Sequence, residues 1–282
     1  RPAAGGAGMT ALVLARWDAR ASLRDRWFLT LAAAFGVLTL AAAATSLAGL
    51  KVIGLSSFDR AAAALVSLAQ LFIPLLGLTL GAVWLAGDRE TGALAFLLAQ
   101  PVSRGTLYAG RYVGVGAPVL GAVWLGYGAA GVVMAWGAGT DRLGLFLTLV
   151  GLSSLLALAM LSVGFLISAF APTRGRALGA SLFAWLGFVV LGDLGVLTAA
   201  VGLRLPALGL LLLAAMNPVC AFRMASLLGI PHSPELLGPL GLLAVDRFGQ
   251  LGAALALVGV LLAWTLGAFV AGFLRFTRMP QP

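Results

Sequence analysis

Apolar residues along this chain come in long runs, and polar residues are confined to the gaps between them. Runs cover about 27–50, 61–86, 106–136, 144–170, 178–200 and 250–274. A bilayer core takes about 20 helical residues to cross, so each run predicts one transmembrane helix, six in all. The third is long enough to tilt or to project beyond the bilayer. Ahead of the first run, residues 10–26 predict a short amphipathic helix. Arg16, Arg20 and Arg24 recur every four residues as one stripe, and Val13, Trp17 and Ala21 form an apolar stripe beside it, the pattern of a helix lying in the membrane interface. Asp18 and Asp25 soften its charge. Residues 1–8 read as a low-complexity leader and 1–9 as disordered, with Met9 as the expected native start. The first run is too long for the apolar region of a signal peptide and reads as a retained span.

The rhythm breaks between spans five and six. Within an outer segment, 201–249, the apolar part 205–216 is too short to cross and predicts a re-entrant or interfacial helix. Asn217 followed by Pro218 restarts a helix, with Asn as cap and Pro at the first helical position. Residues 229–240 read as a proline-rich outer loop. No internal repeat is apparent, which argues against an inverted-repeat secondary transporter.

Composition agrees with the runs. Hydrophobic residues make up 61% of the 282 and charged residues 10%, too little polar cover for a soluble globule. The 38 glycines are scattered inside the runs, where small residues permit close helix packing. The net charge is +9, carried by arginines and a single lysine, Lys51. The arginines sit at helix ends, so they read as topology signals and lipid contacts, and nucleic acid is not an expected partner. With the N-terminus inside, the inner segments hold Arg16, Arg20, Arg24, Arg26, Arg89, Arg104, Arg111, Arg174, Arg176, Arg275 and Arg278, or twelve with Arg1. The outer segments hold six: Lys51, Arg60, Arg142, Arg204, Arg223 and Arg247. That bias predicts both termini in the cytoplasm. The one cysteine, Cys220, excludes an intrachain disulfide framework.

The inner loop between spans two and three, within residues 87–114, has an informative order. Asp88, Arg89 and Glu90 leave the membrane, Thr91 and Gly92 turn the chain, and residues 93–99 predict a short apolar helix. Gln100 and Pro101 stop it, and Ser103 and Arg104 lead into span three. Such a helix either docks in a partner's groove or lies on lipid.

The order acidic-x-Glu-x-Gly, apolar residues, Pro-x-Ser-Arg, then Gly-Arg resembles the coupling-helix region of type-2 ABC transporter permeases. Glu90, Gly92, Pro101, Ser103, Arg104, Gly110 and Arg111 match it, with Arg111 where the family more often has lysine. "LRDRWFL" (23–29), "GDL" (192–194) and "MNPVCAFR" (216–223) resemble the NosY-type branch, which serves maturation of nitrous-oxide reductase. An acidic residue near Cys220, expected in that branch, is not found. The resemblance implies an all-α permease domain over 10–278 that homodimerises. It also implies a cytoplasmic coupling segment at 87–105 and a separate ATPase that carries ATP and Mg. In the NosY-type branch it implies a periplasmic copper-handling partner as well. No cofactor is expected on this chain.

Other residues carry two readings each. Asp193 lies about 15 residues into span five, roughly 22 Å deep. It is either a pathway residue or an ion-pair partner of Arg204, Arg223 or Arg247. Cys220 and Met224 share a helical face and their sulfurs suit Cu(I), yet they are also ordinary apolar filler; Met216 and His232 lie off that face. Gly110-x-x-x-Gly114 is a candidate packing face, and Gln70 with Pro74 a candidate kink. Asn217, Pro218 and Arg223 are the further candidates of the outer segment. No phosphate-loop, H-E-x-x-H or G-x-S-x-G motif occurs, so no enzyme is expected. An ABC permease subunit is the reading carried forward. The alternatives are a generic ABC exporter permease with another substrate, or a secondary transporter, for which Asp193 and Gln70 are a thin polar set.

Overall fold

A computed structural model describes residues 4–48, 57–100, 102–139, 141–192, 207–229 and 234–278. All regular structure among them is helical: α1 (Ala4–Ser22), α2 (Arg26–Ala48), α3 (Ser57–Glu90), α4 (Ala93–Leu98), α5 (Arg104–Ala138), α6 (Leu143–Phe170), α7 (Arg174–Leu186), a π segment (Gly187–Leu191), α8 (Ala207–Met216), α9 (Pro218–Leu228) and α10 (Pro234–Thr277).

Five of these helices are long and apolar enough to cross a membrane: α2, α3, α5, α6 and the Val245–Thr277 part of α10. The fifth expected span begins as α7 and continues through the π segment to Gly192. The rest of that run, with Asp193, lies outside the described residues, as do Lys51, Pro101, Arg204 and His232.

The core is the α3–α6 pair, flanked by α2, α5, α7 and α10. The closest approach is made of glycine. A Cβ on Gly81 would stand 2.7 Å from the Leu161 carbonyl oxygen, and one on Gly164 would stand 2.6 Å from that of Leu78. The two backbones meet where side chains are missing, the packing mode available to helices in lipid. At one end of the bundle Tyr108 and Tyr112 of α5 pack edge-on against Phe165 and Phe269, and Tyr108 also meets Phe273. At the other end Arg142 pairs with Asp59 at 2.5 Å, and Arg60 donates to the Ser46 carbonyl at the last turn of α2 at 3.0 Å.

Several local expectations need correction. Asp25 accepts the N–H groups of Trp27 and Phe28 at 2.9 and 3.1 Å, so it caps α2. α1 therefore stops at Ser22, and Arg24 falls in the turn, off the predicted arginine stripe. α1 begins at Ala4, inside the stretch read as a leader. Its apolar stripe faces outward, with Val13 62% and Trp17 63% exposed, while Asp18 and Ser22 are buried. Asp18 thus does more than soften the surface charge. The proline-rich loop at 229–240 is also shorter than expected: α10 starts at Pro234, because Ser-Pro-Glu at 233–235 puts proline and then an acid in a first turn, a helix start.

Candidate functional site

The 87–104 bend is built by chain chemistry that the sequence exposes. Thr91 donates its hydroxyl to the Gly87 carbonyl at 3.1 Å, and Gly92 takes φ 75°, a left-handed turn open to glycine at little cost. α4 follows, with Leu94 buried against the bundle and Phe96 69% exposed. Gln100 donates its N–H to Leu97 and ends the turn. Ser103 then caps α5 by accepting the Thr106 N–H at 3.0 Å.

The arginines and acids flanking α4 join it to the ends of three other helices. Arg89 donates to the Ala171 carbonyl at 2.5 Å, capping the C-terminus of α6. Glu90 accepts the backbone N–H of Arg174 at 2.7 Å, in the first turn of α7, where a helix leaves N–H groups unpaired and favours negative charge. Arg104 donates to the Thr277 carbonyl at 3.2 Å, at the end of α10. Asp88 pairs with Arg111, whose guanidinium also stands over the Trp84 ring at 5.4 Å.

Behind Arg111 lies a residue that sequence reasoning passed over. Asp18 is fully buried, 3.8 Å from the Arg111 Nε, and both of its carboxylate oxygens lack a hydrogen-bond partner. Burial pushes this carboxyl up to about 6; Arg111 opposes the shift and Asp88 adds to it. α1 reaches this position because Gly114 leaves room for it: a Cβ there would lie 2.7 Å from the Ala15 carbonyl oxygen. Gly114 of the candidate packing face therefore seats α1. The signal for Asp18 was its i±4 neighbours, Leu14 and Ser22, which with it form a third stripe along the helix.

The candidates of the outer segment divide. Asn217 caps α9, accepting from Val219 and Cys220 at 2.9 and 3.4 Å, with Pro218 next in the chain. Its amide also donates to the Phe188 carbonyl at 2.8 Å, inside the π segment, where helical pairing is disturbed. Cys220 and Met224 are both buried in the packed face of α9, whereas Met216 is 70% exposed beyond the cap. Arg223, on the same helix, is half-buried. Among the described residues no three His, Cys, Asp or Glu side chains gather as a metal site.

The described residues form an all-helical multi-pass membrane protein with a short helix set between two long spans. The chain belongs to the ABC-2 family of transporter proteins, whose model matches residues 12–280, and it is a permease subunit of an ABC transporter. It is 31% identical over 236 residues to the "Probable ABC transporter permease protein NosY" of Stutzerimonas stutzeri, covering 81% of this chain and 85% of that one. It is 32% identical over 223 residues to the protein of the same name from Pseudomonas aeruginosa, covering 77% and 81%.

Proposed function

We propose that this chain converts ATP hydrolysis on a separate cytoplasmic ATPase into rearrangement of a dimer of permease chains in the bacterial inner membrane, with both of its termini in the cytoplasm. The observation that carries the reading is the exposed Phe96 on α4 together with the links at its base. A push on α4 is passed through Arg89, Glu90 and Arg104 to the ends of α6, α7 and α10. Asp88, Thr91, Gly92, Gln100 and Ser103 shape the bend, and Pro101 belongs to the same motif. The arginine bias supports the orientation, since Arg89, Arg104, Arg111 and Arg174 gather at the α4 end and Arg60 and Arg142 at the other.

The finer part of the proposal is service to copper-site maturation of periplasmic nitrous-oxide reductase, with a periplasmic copper-handling protein at the outer face. It is supported by the likeness to the NosY-named relatives and by the 216–223 segment. The test is affinity purification of the tagged chain from native membranes, with its partners identified by mass spectrometry. An ABC ATPase together with a periplasmic copper protein is the expected result. An ATPase alone reduces the reading to an exporter of another substrate, and no ATPase even after mild crosslinking overturns it.

A further inference from the structure

At the α4 end a half-open cleft of about 760 Å³ separates the α1–α2 turn from the end of α3 and the start of α7. Its wall on α3 runs from Thr79 to Glu90, with Thr91 just past the helix end. Twelve residues at 1.5 Å each make it roughly 18 Å deep. The deep half lies within a membrane span and is lined by Leu80, Val83 and Leu178, while the mouth lies where that span ends, at Glu90. A cleft that is apolar at acyl-chain depth and charged at the membrane–water boundary has the polarity profile of a phospholipid.

The charges at the mouth select the headgroup. The lining carries three carboxylates, Asp25, Asp88 and Glu90, and one guanidinium, Arg174, which pairs with Asp25; Arg111, shared by Asp88 and Asp18, stands behind the wall. Carboxylates thus outnumber guanidiniums at the mouth, in a chain whose net charge is +9. Arg174 is more than half exposed and lies 3.4 Å from Asp25. Trp27, 53% exposed, adds an aromatic face, which attracts cations and suits the headgroup level. An anionic lipid would find Arg174 but would face the carboxylates. A choline headgroup carries positive charge but no N–H to donate. A primary ammonium brings three donors to Asp25 and Glu90, beside the backbone N–H groups they already accept, while its phosphate meets Arg174.

We infer that this cleft is a binding site for an amine-bearing zwitterionic phospholipid of the phosphatidylethanolamine class, the ammonium on Asp25 and Glu90, the phosphate on Arg174 and one acyl chain between α3 and α7. The reading is independent of the ATPase partner, so the purified chain alone tests it. After delipidation the chain is offered equimolar phosphatidylethanolamine, phosphatidylglycerol and phosphatidylcholine, and native mass spectrometry counts what is retained. Wild type retains phosphatidylethanolamine about three- to five-fold over the others, the scale of partly exposed charge pairs. The double variant Asp25→Asn, Glu90→Gln loses that preference. It keeps the α2 cap and the acceptor at Arg174, because Asn caps as well as Asp and Gln retains a carbonyl oxygen. Val83→Trp, which fills the apolar half, lowers retention of all three lipids. An unchanged melting temperature in each variant shows that the fold is intact. Equal retention of the three lipids by wild type overturns the site, as does preference for phosphatidylglycerol or wild-type selectivity in the double variant.

Discussion

Asp18 and Arg111 face each other across the α1–α5 contact at 3.8 Å, both buried, and Asp88 holds the same guanidinium from the α3 side. One arginine thus ties the helix expected at the membrane interface to the exit of α3, immediately before α4. The arrangement carries two carboxylates on one guanidinium, and the more deeply buried carboxylate is the one without hydrogen bonds.

That asymmetry makes α1 docking pH-dependent. The Asp18 carboxyl is raised from 3.8 to about 6 in the folded chain, chiefly by burial. Between those values the folded state binds a proton that the unfolded state has released, so stability falls as pH rises through the window. Docking of α1 should therefore be firmest below about pH 4, loosen steadily between pH 4 and 6, and be weakest above about pH 6. A spin label at the exposed Val13 should gain mobility over that range. Asp18→Asn should flatten the profile, and an unchanged profile in that variant would show that the titrating group lies elsewhere.

The glycines make a sharper stability prediction. Gly164→Ala puts a methyl group 2.6 Å from the Leu78 carbonyl oxygen, and backbone cannot move aside as a flexible side chain does. The cost should be about 1–3 kcal/mol, the usual scale of overpacking, read as a lower melting temperature in detergent. Gly81→Ala should behave alike, from the other side of the same contact. Gly151→Ala, on the same helix with nothing within 4 Å, should be neutral or stabilising by up to about 1 kcal/mol through helix propensity.

How far these features could be read in the chain depended on whether their partners are local. Helix starts and stops are set by residues within a turn of each other, and Ser103, Gly92 and Asn217-Pro218 all act as their residue types predict. The bounds of α3, α5 and α6 fall within a few residues of the apolar runs for the same reason. What α1 buries in the bundle is set by Arg111, more than ninety residues away, so the pattern along the helix alone did not single out Asp18. Gly81 and Gly164 could not be picked from 38 glycines without knowing which helices cross. The links from Arg89 to Ala171 and from Arg104 to Thr277 join residues 82 and 173 apart, and no local pattern announces them.

Asn217 separates capping from its longer reach. Asn217→Ala loses the α9 cap and leaves the Phe188 carbonyl without this donor, a loss of about 1–3 kcal/mol. Asn217→Asp keeps the cap acceptor but replaces the amide donor with a carboxylate oxygen facing the Phe188 carbonyl. If the π-segment contact matters, Asp should destabilise at neutral pH nearly as much as Ala. If capping alone matters, Asp should match wild type. Thermal melts of the three proteins at one pH decide between them.

Phe96 is the residue on which the coupling proposal is most exposed. It projects from a six-residue helix whose neighbour Leu94 is buried, so it can be changed without touching the core. A solvent-facing aromatic at the centre of an interface is worth about 1–2 kcal/mol or more, which predicts a drop of about ten-fold in ATPase capture for Phe96→Asp. The melting temperature of the isolated chain should not fall, and it should rise slightly if the exposed ring has been promoting aggregation. Arg89→Ala should give the complementary result. It leaves Phe96 in place, so the ATPase should still bind. It removes the link from the base of α4 to the end of α6, so ATP hydrolysis should continue while the movement it drives at the far end of the bundle is reduced. Capture measured by pull-down, hydrolysis by phosphate release and movement by a distance probe across the far ends of α3 and α6 separate the two variants. Equal capture by Phe96→Asp and wild type would remove α4 as the ATPase contact, and an Arg89→Ala protein indistinguishable from wild type in all three would remove the α6 link from the path.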